Sequence, residues 1–104
     1  MNKQEYLLLC LAEECNELSQ NAIKCLRFTT EHHYYELSNI ERVQLELTDV
    51  MSVLHLLEEE LHLEFNKNPS QEKINKLQGY MVRSQQLGTL EWNTTIMTSE
   101  EFKS

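Results

Sequence analysis

The chain is predicted to be all-α, an antiparallel helical bundle of two long helices plus a third helix, completed by oligomerisation. Three observations carry that expectation. With 2 Gly and 1 Pro among 104 residues, turn chemistry is scarce, which favours long helices joined by few connections. Apolar residues recur at helical spacing over three separate stretches. No alternating run of β-branched residues reaches useful length, which argues against sheet. A composition 40% hydrophobic and 25% charged fits one small globular domain. A chain of this size buries only about two-thirds of its unfolded surface, so packing against a second subunit is expected.

The first helix is expected from about Gln4 to Phe28, on Leu7, Leu8, Leu11, Cys15, Leu18, Ala22, Cys25 and Leu26, with no breaker inside. Thr29 to Leu37, "TTEHHYYEL", breaks the period and reads as a loop. Ser38 and Glu41 form a Ser-x-x-Glu capping box. They open a second helix expected to run through Phe65 on Ile40, Val43, Leu47, Val50, Leu54, Leu57 and Leu61. Pro69 is placed at the first position of a third helix, carried by Ile74, Leu77, Met81 and Leu87 to a stop at Gly88. Gly79 inside it marks either a close helix contact or a weak spot. Residues 1–91 thus form the domain. Residues 92–104 form a C-terminal tail in which Trp92 is either a packing anchor or a residue without a partner.

A formal net charge of −8 disfavours direct binding to nucleic-acid backbones and to anionic membranes, but leaves phosphate ligands open, because divalent cations bridge carboxylates to phosphates. The apolar run Leu7 to Ala12 is too short for a signal-peptide core or a membrane span. Cys10, Cys15 and Cys25 are odd in number and point to different parts of one helix, a pattern of reduced, mostly buried thiols in a cytoplasm.

The acids are the notable feature. Glu13, Glu14 and Glu17 crowd about one turn of an otherwise apolar helix, where like charges cost stability. At helical spacing Glu14 and Glu17 border the apolar stripe, with Asn21 and Lys24 continuing the row. On the second helix Glu46 and Asp49 take the same place, and Arg42 extends it. Packing the two stripes together brings four carboxylates to one cleft, where they repel or raise one another's pKa. A hard cation relieves this, and an all-carboxylate set favours Mg²⁺ or Mn²⁺ over zinc. Glu-x-x-His pairs of di-iron bundles are missing from this row, since His55 and His62 point elsewhere. Glu58, Glu59 and Glu60 read as a solvated face.

These residues resemble the MazG-like, all-α nucleoside triphosphate pyrophosphohydrolases, whose signature is Glu-x-x-Glu on one helix and Glu-x-x-Asp on the next. Here the signature is Glu14-x-x-Glu17 followed by Glu46-x-x-Asp49. The flanking "KCLRF", "NIER" and "YMVRSQQLGTLE" look similar to small phage-type members, so the resemblance spans roughly residues 5 to 91. It implies Mg²⁺-dependent cleavage of a nucleoside or deoxynucleoside triphosphate to the monophosphate and pyrophosphate. Glu14, Glu17, Glu46 and Asp49 would hold the metal, and Glu13 or Glu17 would orient or deprotonate the attacking water. Lys24, Arg27 and Arg42 would balance the triphosphate charge, in a homodimer or homotetramer. One departure is that "TTEHHYYELS" lacks the glycine expected after the Arg27-Phe28 pair. Two other classes remain open from the residues: a nucleotide-binding protein that sequesters without turnover, and an acidic helical interaction protein. An aromatic residue of the loop, among His32, His33, Tyr34 and Tyr35, could stack on a base.

Overall fold

In a computed structural model, residues 1–91 are described. They are mostly helical, with α1 over Lys3–Phe28, a short ribbon of β1 (His33–Tyr34) and β2 (Leu37–Ser38), α2 over Asn39–Leu61, and α3 over Gln71–Gln86. The described chain divides into one unit over Met1–Phe65 and a second beginning at Asn66.

In the first unit α1 packs against α2. The pair is antiparallel: Lys3 at the start of α1 meets Glu60 at the end of α2 at 3.4 Å, while Asn39 at the start of α2 donates from Nδ2 to the Thr29 carbonyl, 2.9 Å away, at the end of α1. Both helices open on capping boxes. Asn2 Oδ1 accepts from the Glu5 N–H and Ser38 Oγ from the Glu41 N–H, and each glutamate returns a bond to the cap backbone. Leu7, Val50 and Leu57 form the buried centre, with Leu57 fully enclosed.

The seam between these helices is rotated from the expected stripes. On α1 the less exposed positions are Leu7, Cys10, Leu11, Glu14, Leu18, Asn21 and Cys25; Leu8, Cys15, Ala22 and Leu26 face outward. On α2 they include Asn39, Arg42, Val43, Glu46, Val50, Val53, Leu54 and Leu57, and Ile40 and Leu47 are exposed. Glu14 and Glu46 therefore stand in the packing seam itself, not at its border, while Glu17 and Asp49 are exposed at its edge. The thiols follow the same rotation, with Cys10 and Cys25 half-buried, Cys15 exposed and all three free.

Further expectations are corrected. A two-stranded ribbon, paired antiparallel with His33 opposite Ser38 and Tyr34 opposite Leu37, occupies the predicted loop, so sheet is not wholly absent. Helix α2 stops at Leu61, short of Phe65, because His62 turns left-handed at φ 54, a conformation in which His is enriched. The Phe65 N–H is then satisfied at 2.8 Å by a Glu58 carboxylate oxygen, so Glu58 closes the helix end and is not merely solvated. In the second unit Pro69 precedes the cap and Ser70 takes that role, its Oγ accepting from the Lys73 N–H. Helix α3 ends at Gln86 with Leu87 as its C-cap, and Gly88 at φ 78 supplies the left-handed residue that follows. Ile74, Leu77 and Met81 are exposed rather than buried. Among the described residues a Cβ at Gly79 would meet nothing within 4 Å, so no close contact is found there. Trp92 and the rest of 92–104 lie outside the described residues.

Thr29 caps α1 at φ 76, ψ 157, a region essentially reserved for glycine. It is the position where the sequence lacks an expected glycine. Thr29→Gly should relieve that strain and, after the extra chain entropy of glycine is subtracted, stabilise the fold by about 1 kcal/mol. A thermal melt should show a rise of roughly 4–8 °C, and an unchanged or lower Tm would contradict the assignment of strain.

Candidate metal centre and adjoining pocket

Glu14 arrives at the seam from the middle of α1, and Glu46 with Asp49, one turn apart, from the first half of α2. Their carboxylate oxygens lie within 4.8 Å of one another, three acceptors around one point. Glu17 falls outside that group but close enough for its charge to act on Glu46. Glu13 is exposed, and no contact ties it to the cluster among the described residues. The four-residue signature thus separates into three converging acids and one flanking acid.

Electrostatics concentrate on Glu46. Its Oε1 is buried with no hydrogen-bond partner. A proton shared with the adjacent Glu14 carboxylate, then burial, then the negative charges of Glu14, Asp49 and Glu17 push its carboxyl up to about 7. Arg42, one turn earlier on α2, does not discharge it. That guanidinium turns to the ribbon, donating from Nη2 to the Tyr34 carbonyl at 2.6 Å and standing 5.5 Å from the centre of the Tyr34 ring. Arg42 Nε is likewise buried and unpaired.

The donor chemistry fits a hard divalent cation. All three groups are carboxylates, and Mg²⁺ or Mn²⁺ would take the place of the proton that Glu46 otherwise shares with Glu14. Exposed acidic clusters are common without metal, so the buried Glu46 oxygen is the discriminating observation.

The stability of the metal-free protein should depend on pH. The folded state raises the Glu46 pKa from 4.5 to about 7, so it holds the proton more tightly than the unfolded chain does. That contribution to stability is full below the unfolded value and is lost as pH rises through about 7. Glu41 has the opposite sign: its capping bonds to Ser38 lower its pKa, so its contribution is lost on acidification below the ordinary value of 4.5. Melts in chelator should therefore show Tm falling from pH about 4.5 to above about 7, a slope missing in Glu46→Gln. A wild-type profile that is flat or rises over that window would refute the assignment.

At the loop end of the same helix pair is a pocket of about 430 Å³ lined by Lys24, Phe28, His32, Tyr34, Asn39 and Arg42. Arg42 lies one turn, about 6 Å along the axis, from Glu46, and Lys24 lies two turns, about 10 Å, from Glu17. Of the predicted cationic residues, Lys24 and Arg42 line this pocket and Arg27 does not. Phe28 and Asn39 were not foreseen. Phe28 was read only as the end of a helix, and no apolar or charge pattern marks Asn39. The chain matches no protein-family model, no curated protein and no solved structure with which it was compared.

Proposed function

We propose that the protein is a Mg²⁺-dependent nucleoside triphosphate pyrophosphohydrolase of MazG-like type, cleaving a nucleoside or deoxynucleoside triphosphate with water to the monophosphate and pyrophosphate. The observation that carries this reading is the convergence of Glu14, Glu46 and Asp49 within 4.8 Å around a buried, donorless Glu46 oxygen, next to a cation-bearing pocket. The motif resemblance supports it from the sequence side. Glu14, Glu46 and Asp49 hold the metal, with Glu17 at the rim as a further ligand or as the group that orients the attacking water. When bound, Mg²⁺ supplies charge neutralisation at the phosphates and activates the water for in-line attack. Lys24 and Arg42 offset the negative charge of the polyphosphate from the pocket side. Arg27 stays a secondary candidate for that task, and Glu13 ranks behind Glu17 as the group that orients the water because nothing ties it to the cluster among the described residues.

The same reading includes a homodimer or homotetramer. Leu8, Leu9, Ile23 and Leu26 on α1 are exposed, with Leu26 87% accessible, more apolar surface than a helix of a lone small domain usually leaves in water. Among the described residues, no helix is long and apolar enough to cross a membrane. A cytoplasmic enzyme with three free thiols is the setting the reading implies.

The test is pyrophosphate release from a panel of nucleoside and deoxynucleoside triphosphates, with and without Mg²⁺. Metal-dependent release from at least one is expected. Tight nucleotide binding without release would indicate a sequestering protein, and neither binding nor release would overturn the nucleotide reading.

A further inference from the structure

The pocket beside the acidic cluster holds one group that phosphate chemistry leaves unused. Asn39, the first residue of α2, is 3% exposed yet lines the pocket. Its Nδ2 donates to the Thr29 carbonyl at 2.9 Å, and among the described residues no donor reaches its Oδ1. The carboxamide cannot be flipped at no cost, because that would set Oδ1 against the Thr29 oxygen, two acceptors with no proton between them. The carbonyl that fixes it is itself fixed. Thr29 sits at φ 76, ψ 157, and the next turn of backbone is pinned by Asn39 N–H to His32 O at 2.9 Å and Ile40 N–H to Thr30 O at 3.0 Å. The strained backbone therefore sets the direction of one acceptor in the pocket wall.

The rest of the wall suits a flat ring carrying an anion. Phe28 and His32 stand with ring centroids 6.3 Å apart, and Tyr34 faces the same space, held by Arg42. Stacking on such a wall is tolerant of ring identity, because every base has a π-face. An acceptor in the wall is not tolerant: a ring that covers it without offering a matching donor leaves it unpaired and desolvated.

We infer that Asn39 is the specificity-determining residue of this pocket, its Oδ1 selecting a nucleobase that presents an amino or imino N–H while Phe28, His32 and Tyr34 stack on the ring. The inference rests on the nucleotide reading above and adds the group that chooses among bases. Phosphates then extend along Lys24 and Arg42 toward the carboxylates. Thr29 acts through Asn39 as a positioning residue.

The test is calorimetric binding of dATP, dCTP, dGTP and dTTP with Mg²⁺, followed by two analogues of whichever binds best. One analogue is methylated so that the base loses its edge N–H, and the other carries its methyl on a ring carbon away from that edge. In the wild type the N-methyl compound should bind roughly ten- to a hundredfold more weakly than the parent, and the C-methyl compound within about threefold of it. In Asn39→Leu the two analogues should bind alike. Equal binding of both analogues to the wild type, or an N-methyl penalty that persists in Asn39→Leu, would overturn the inference. If that variant does not fold, the wild-type comparison decides alone. Metal-dependent pyrophosphate release without discrimination between the analogues would remove the role of Asn39 and leave the hydrolase reading standing. Discrimination without release would do the reverse, and no nucleotide binding at all would overturn both.

Discussion

Glu46→Gln should abolish most Mg²⁺-dependent pyrophosphate release while leaving the fold intact or firmer. The substitution keeps the shape of the side chain and removes one charge. It strikes the acid whose Oε1 is buried without a hydrogen-bond partner among the described residues. If Glu46 is a metal ligand as proposed, losing its charge costs several kcal/mol in holding and using the metal, so turnover should fall by roughly 10²–10³-fold. Glutamine also carries an N–H that the adjacent Glu14 carboxylate can accept, which removes the carboxylate-to-carboxylate repulsion that raises the Glu46 pKa. The metal-free Tm of the variant at neutral pH should therefore equal or exceed that of the wild type. That second readout separates the site from the scaffold. Loss of activity with a retained or higher Tm places Glu46 in the metal centre, whereas loss of activity with a lower Tm would mean that the variant had merely unfolded. Retention of activity would remove the carboxylate cluster from the reaction.

How much of this was legible in the sequence depends on whether the signal was local. The Ser38–Glu41 capping box was readable because four residues contain it, and the structure forms both of its bonds. The end of α1 at Phe28 was readable from the loss of period. The end of α2 was not, because His62 adopts a left-handed conformation without the glycine or proline that usually announces one. The ribbon at His33–Ser38 escaped because two residues per strand are too few to show alternation. The rotation of the seam has a more informative cause. Drawing the stripe through apolar residues alone assumes that the packing face is apolar throughout. Here Glu14, Asn21, Asn39, Arg42 and Glu46 occupy seam positions, and Leu8, Leu26, Ile40 and Leu47 lie outside them. The apolar pattern was pulled toward the exposed leucines by the polar groups that displaced it. Local pattern and global packing disagree at the residues with a candidate function, which is where such conflict is expected. Asn39 was silent for a related reason, since what matters in it is an orientation set by a backbone conformation, whereas Thr29 was signalled by the missing glycine.

That disagreement yields the second large effect, on stability. Glu46→Leu should raise the metal-free Tm and flatten its pH dependence, because leucine restores the apolar residue that helix spacing calls for between Val43 and Val50. In the wild type at neutral pH the protein must either keep Glu46 protonated, with a pKa of about 7, or leave a carboxylate in the seam beside Glu14 and Asp49. Either state costs free energy that a packed leucine avoids, and replacing partly buried charge by apolar volume commonly stabilises by 1–4 kcal/mol. Because Glu46 is only half-buried, solvent screens part of its penalty and the lower end of that range, about 1–2 kcal/mol, is expected. For a domain of this size that corresponds to roughly 4–16 °C. Saturating Mg²⁺ should raise the Tm of the wild type but not of the leucine variant, since a ligand that binds only the folded state stabilises it by RT ln(1 + [L]/Kd). A leucine variant less stable than the wild type in chelator would mean that the seam at this position is shaped for the carboxylate, with Glu46 acting as a structural group. A more stable, metal-blind variant would show that the chain keeps an unfavourable residue in its packing seam for what that residue binds.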